Sequence, residues 1–187
     1  MGYKSMPKLI EIASPRLRLV ALNAELATLQ LEDRKAFFKA LGVDPEPTWP
    51  PELMDQAAME WTRDRLSARP GESGWYAWVY ISSVMNRLLG TGGFKGAPDA
   101  DGVVEIEYSM LTSYREQGLA TEGVVALLDW AYSHDQVKSV IAHTRDDRDA
   151  SHRVLEKAGF VQGKTHAEPD EGFDVIAWHH TPNKHPA

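Results

Sequence analysis

A chain of 187 residues suits one domain with a sizeable core, and 43% hydrophobic and 25% charged residues match an ordinary globular composition. Without cysteine there is no disulfide framework, no cysteine nucleophile and no Cys-ligated metal. A formal charge of −7 with no basic stripe argues against non-specific nucleic-acid binding, and no apolar run approaches the roughly 18 residues of a membrane span. The opening "MGYKSMPKLIEIASP" lacks the apolar stretch and cleavage-type site of a secretory leader, so a cytoplasmic protein without membrane contact is expected.

"RLRLVAL" (16–22) alternates and predicts a strand. Asn23 can cap the helix that follows, and "LEDRKAFFKALG" continues as a helix to a stop at Gly42. "VDPEPTWPP" is too rich in proline for regular structure, and Pro51 can open the next helix, with Met54, Ala58 and Trp61 at helical spacing. "WYAWVYIS" (75–82) and "RLLGTGGF" (87–94) flank "SVMN" as a hairpin, and "VVEIEYSM" (103–110) is a third strand of this group. The helical pattern of 119–134 comes next, with Leu119, Val124, Leu127, Leu128 and Ala131 on one face. "KSVIAHT" (138–144) is a strand, "ASHRVLEKAG" a helix ending at Gly159, and "FVQGKTH" with "FDVIAWH" a closing pair. Such mixing predicts an α/β or α+β domain with a mixed sheet, and the two late helices join strands that can lie parallel. Trp61, Trp130 and Trp178 fit apolar faces and are expected in the core, whereas Trp49 can either wall a site or anchor its loop.

"YREQGLATE" (114–122) sets Gly118 and Ala120 at the start of a helix, behind Arg115. Exposed N–H groups and a partial positive charge make such a start a phosphate site when small residues leave the amides clear. Alone, the pattern is more readily a turn than a site. Its context decides: a short connection after a strand, then helix, strand and "SHRVLEKAGF". There is no Gly-x-Gly-x-x-Gly after the first strand and no Gly-Lys-Ser/Thr, so neither a Rossmann nor a Walker site is indicated. Taken together, "LLGTGGF", "EIEYSMLTSYREQGLATEG" and "ASHRVLEKAGF" resemble the GNAT acyltransferase superfamily, and within it the RimJ/RimL-like group. The resemblance spans about 16–178 of a single domain over 1–187.

It implies the GNAT fold, a mixed twisted sheet of about seven strands with helices on both faces and a splay between strands four and five. Acetyl-CoA would enter the splay as co-substrate. Met110 and Thr112 would offer backbone groups to the pantetheine arm, and Arg115, Gln117, Gly118, Leu119, Ala120 and Thr121 would surround the pyrophosphate. The group often carries Asn where this chain has Arg148, which either faces solvent, the favoured reading, or meets a phosphate. The activity implied is acetyl transfer to a protein N-terminal α-amine or a small-molecule amine. A non-catalytic acyl-CoA-binding or sensor protein on the same fold is the alternative. Many relatives are dimers, and no strip of this sequence marks an interface.

Acetyl transfer from a thioester requires a deprotonated amine, donors for the oxyanion and help for the leaving thiolate. An α-amine, with a pKa of about 8, needs less help from a base than a lysine amine at about 10.4. With no cysteine, direct attack in a ternary complex is the natural route. An amide freed near Met110 can serve the oxyanion. Ser151 matches the position in the group that faces the coenzyme sulfur, and is otherwise an ordinary first-turn residue. His143 either takes the amine proton or is structural. Glu105, Glu107 and Ser109 share one face of a central strand. Carboxylates there are costly unless paired or in an open cleft, so they either orient the incoming ammonium or pair with a neighbouring cation. Tyr108 and Met110 point to the other face and are expected in the core. No His-Glu-x-x-His spacing exists, and no metal is assigned.

Overall fold

The computed structural model describes residues 8–168 and 172–182; the first seven residues of the opening stretch read above for a leader lie outside it. Eight strands form one sheet in the order β1-β2-β3-β4-β5-β6-β8-β7. The eighth, beyond the expected seven, is the three-residue edge strand β1 (Glu11–Ala13), laid antiparallel on β2 (Leu17–Ala21). Asn23 caps α1 (Ala24–Glu32) by accepting from the Leu26 N–H at 2.8 Å. Asp33 caps α2 (Arg34–Leu41), which ends on Gly42 at φ +67°.

The proline-rich segment is irregular, as expected, but Pro51 does not open a helix. Asp55 does, accepting from the Ala58 N–H at 2.9 Å at the head of α3 (Gln56–Ala68). A carboxylate cap satisfies an amide that Pro51 cannot, so the start falls later. β3 (Ala77–Ser82) and β4 (Leu88–Phe94) are buried along their whole length. They lie mid-sheet with helices on both sides, so neither face meets water.

β5 (Val103–Met110) pairs antiparallel with β4. α4 (Leu119–Tyr132) then carries the chain to β6 (Ser139–Arg145), which is parallel to β5. α5 (Asp149–Lys157) leads to β7 (Val161–Glu168), and β8 (Phe173–His180) inserts antiparallel between β7 and β6. Since β6 and β7 both run against β8, each late helix does join parallel strands, although β6 and β7 are not neighbours.

Two cores result. Trp78, Tyr80, Ile106, Val124, Leu127, Leu155 and Trp178 pack between the sheet and α4 with α5. Val20, Leu26, Phe37, Leu66, Val79 and Leu88 pack on the opposite face against α1, α2 and α3. Trp178 is buried and Trp130 packs against the first core, as expected. Trp61 departs from expectation at 38% exposure. Its ring packs edge-on to Tyr76 and carries Arg65 at 5.3 Å on its outer side.

Candidate active site

The central feature is where β5 and β6 stop pairing. Their ladder holds only at Val103↔Ser139, Val104↔Val140 and Glu105↔Ile141. Beyond Glu105 the strands separate. Glu105 accepts from the Lys95 N–H and Leu111 donates to Leu89, so the odd residues of β5 turn their backbone groups toward β4. By alternation, the N–H and C=O of Tyr108 and Met110 face the gap. Tyr108 helps set its width. Its hydroxyl donates across to the Ser151 carbonyl at 3.0 Å, tying β5 to the first turn of α5.

Side chains divide by the same two-residue period. Val104, Ile106 and Met110 enter the core beneath α4, with Tyr108 packed against it. Glu105, Glu107 and Ser109 face the other side, together with His143, two residues beyond Glu105's partner Ile141. Glu105 Oε1 accepts from Lys95 Nζ at 2.7 Å and contacts His143 Nδ1 at 2.9 Å. Burial pushes the Glu105 carboxyl up, but these two partners outweigh it and hold it below the usual carboxylate range. An ionised carboxylate only accepts, so His143 Nδ1 is the donor in this contact. Among the described residues Glu107 has no such partner. Its side chain is exposed at the surface, although protein surrounds much of the carboxyl. That burial raises its pKa; Lys95 offsets part of the rise and the Glu105 charge adds to it. Ser109 lies under the proline-rich loop, accepting from the Leu53 N–H at 3.4 Å.

At the far end of the gap, the loop 115–118 bends through two left-handed residues, Glu116 at φ +59° and Gly118 at φ +75°. Gly118 stands at the head of α4, and a Cβ there would meet only Arg16 Nη2, at 3.4 Å. The space before the first amides of α4 is therefore open. Glu122, in that first turn, would oppose an anion, but it is neutralised. It accepts from Ser14 Oγ at 2.6 Å and from the N–H and Nε of Arg16, both at 2.7 Å. Arg16 also donates to the Gln117 carbonyl at 2.9 Å, turning that acceptor away from the amides. A cavity of about 360 Å³ lies between the proline-rich loop, with Thr48, Pro50 and Glu52 on one wall, and the segment after β5, with Met110, Thr112 and Arg115 on the other.

Residues 23–161 match the family model described as an acetyltransferase (GNAT) domain. The chain belongs to the GNAT family. It is an acetyl-CoA-dependent acetyltransferase by that membership, which takes precedence over the non-catalytic binder alternative. The chain is 28% identical over 160 residues to the uncharacterized N-acetyltransferase YjdG of Bacillus subtilis, covering 86% of this chain and 95% of that one. Solved structures share the fold at lower identity. A ribosomal-protein-S5-alanine acetyltransferase from Vibrio fischeri has a TM-score of 0.66 at 14% identity, over 95% of this chain and 100% of that one. A spermidine N-acetyltransferase chimera of Vibrio cholerae SpeG and hSSAT has a TM-score of 0.64 at 13% identity, over 89% of this chain and 95% of that one.

In this GNAT chain Arg115, Gln117 and Gly118 are exposed beside the open head of α4. Leu119 and Ala120 sit against the core by their side chains, which leaves only their backbone amides at that head, with Thr121 half-buried beside them. Met110 is buried, and its gap-facing carbonyl accepts from Arg115 Nε at 3.2 Å. Trp49 is an anchor, 2% exposed with its ring 6.3 Å from Phe37. Ser151 is half-buried in the first turn of α5, on the gap side. Arg148 does not simply face solvent: it reaches Glu52 at 3.3 Å. Glu105 is paired with a cation, as one of the two sequence readings allowed, and the same contact joins it to His143. Three residues of this site carry no sequence signal of their own. Lys95, Arg16 and Glu52 belong to it only through partners distant in the chain.

Proposed function

We propose that this acetyltransferase acetylates a primary amine that arrives, as an ammonium ion, on the α1–α3 side of the sheet. The observation that carries this reading is the Glu105–His143 pair beside the unpartnered Glu107, all on the acceptor side of the strand separation. Acetyl-CoA supplies the thioester carbonyl that receives the amine. Glu107 holds the ammonium by charge. His143 Nε2 takes its proton, while Glu105 fixes the tautomer and balances the imidazolium that forms. Lys95 keeps Glu105 ionised. Met110 turns its N–H toward the gap, where it can donate to the acyl oxygen. Ser151 lies across the gap and donates to the leaving sulfur. The residues 1–187 act as one domain in this reading.

A base of this kind matters most for amines of high pKa, so polyamines and lysine-like amines are expected to depend on it more than peptide α-amines. The test is a side-by-side screen of peptides, polyamines and amino acids by release of free CoA. Turnover with at least one cationic primary amine is expected. With that acceptor, Glu107→Gln should raise its KM and leave the KM for acetyl-CoA unchanged. His143→Gln should lower kcat, most for acceptors of high pKa. CoA release with none of the amines refutes the proposal, and wild-type kinetics in both variants return these side chains to a structural role.

A further inference from the structure

The proline-rich loop places one carboxylate over the mouth of the gap. Glu52 Oε2 lies 3.5 Å from an Arg115 guanidinium nitrogen, and its Oε1 lies 3.3 Å from one of Arg148. Arg115 follows β5 and Arg148 follows β6, so a single anion bridges the two separated strands. The placement is fixed by the fold. Trp49 and Met54 are buried on either side of the loop, and the Leu53 N–H is held by Ser109. The hydrogen bond and charge of Arg148 lower the Glu52 carboxyl from its usual value; burial opposes them, and the Arg115 contacts add a further, lesser lowering.

The neighbouring arginines are committed elsewhere. Arg16 is tied to Glu122, and Arg145 makes two bonds to Asp147 at 3.0 and 2.6 Å. Arg148 lies 3.9 Å from Asp147, beyond hydrogen-bonding distance, so Glu52 is its close partner. Two guanidiniums thus share one carboxylate and leave an excess of one positive charge, on a chain whose formal charge is −7. Both guanidiniums lie within reach of the two oxygens of one carboxylate, close enough together for a single diphosphate to meet both. Planar guanidinium forks suit phosphate oxygens at least as well as carboxylate ones.

We propose that Arg148 is a second pyrophosphate-binding residue acting with Arg115, and that Glu52 is the internal anion that competes for the pair. The inference rests on the coenzyme reading above. When the diphosphate takes the two arginines, Glu52 is released, and the cost of breaking its ion pairs is subtracted from coenzyme affinity. The two residues therefore have opposite effects on one equilibrium. A merely structural bridge would not produce that sign difference, since losing either end of such a bridge loosens the same contact.

The test is calorimetric titration of the purified chain with CoA and with dephospho-CoA, which keeps the pyrophosphate and lacks the 3′-phosphate. Arg148 has 43% of its side chain exposed and provides no side-chain cap to α5, so Arg148→Gln is expected to fold. Glu52→Gln should bind CoA about three- to tenfold tighter and Arg148→Gln about three- to tenfold weaker, the range two exposed ion pairs supply. The same factors are expected with dephospho-CoA. Affinities of both variants within about twofold of wild type, far inside that range, overturn the inference, as does weaker binding by Glu52→Gln. An Arg148 effect that disappears with dephospho-CoA assigns that side chain to the 3′-phosphate and also overturns it. A wild-type chain that binds no CoA overturns the coenzyme reading itself, whereas the outcomes above leave that reading standing.

Discussion

Gly118 and Gly42 offer a matched pair for testing where the coenzyme phosphates sit. Both are left-handed, at φ +75° and φ +67°. Neither is crowded: a Cβ on Gly118 reaches Arg16 Nη2 at 3.4 Å, and one on Gly42 meets nothing within 4 Å. Replacing either with Ala should therefore cost the same, about 1–2 kcal/mol for an L-residue in this conformation. For a chain of this size that is a fall in Tm of roughly 2–8 °C. Their effects on ligand binding should differ. Gly42 ends α2, remote from the cradle, whereas Gly118 shapes the turn that aims the first amides of α4. The Gly118→Ala substitution adds a methyl before those amides, and its backbone strain tends to swing them away. Losing one charge-assisted hydrogen bond, worth about 1.5–3 kcal/mol, weakens binding about tenfold or more. Thermal unfolding and calorimetric titration with acetyl-CoA measure both quantities on the same samples. The expected result is equal loss of stability, with weakened binding in Gly118→Ala alone. Equal acetyl-CoA affinity in the two folded variants would refute the placement at α4.

Ser151→Ala should lower kcat with little change in acetyl-CoA affinity, since general acid assistance is typically worth roughly 10²–10⁴ in rate. A variant within about twofold of wild type, far short of that range, makes Ser151 a first-turn residue only. Glu122 holds the N-terminal strand region to the cradle. Burial pushes its carboxyl up, but the Ser14 and Arg16 donors hold it below its ordinary value of 4.5. A depressed folded-state pKa contributes stability that is present above 4.5 and is lost as pH falls through the folded value. Glu122→Gln should thus destabilise the chain at neutral pH by about 1–3 kcal/mol and flatten the acid limb of Tm against pH. An acid limb as steep as wild type's would show that other carboxylates set it.

Much of this architecture is legible in the sequence because it is encoded locally. "VVEIEYSM" marks β5 residue for residue, and Asn23 and Gly42 act as the caps their residue types suggest. The proposed coenzyme cradle is likewise contiguous, one turn between a strand and a helix. The acceptor side is composite. Glu52 meets Arg115 across 63 positions, and Arg16 meets Glu122 across 106. Such pairs have no period and no spacing to read, because the sheet order brings them together. Lys95 carries only the general hint that a buried-strand carboxylate needs a cation. The start of α3 is not legible in the same way, because proline and aspartate both favour helix starts and only tertiary packing selects between Pro51 and Asp55. Trp61 has the spacing of a core residue without the burial of one. An aromatic plate covered by Tyr76 and Arg65 needs no full burial.

In the proposed mechanism the separation of β5 from β6 lets one strand serve two substrates. A paired strand commits its backbone groups to both neighbours. β5 commits only one set: its odd residues bond β4, and beyond Glu105 the even residues retain N–H and C=O groups toward the gap. The odd side chains meanwhile present Glu105 and Glu107 to the acceptor side, while even side chains fill the core under α4. The two-residue period therefore assigns each function to its own direction. It also makes the site intolerant of register. A shift of β5 by one residue would carry Glu105 and Glu107 into the apolar core and turn Ile106 toward the acceptor. Burying two carboxylates there is far costlier than a change in a surface loop, so the proposed chemistry on β5 depends on this register more than on the loop above it.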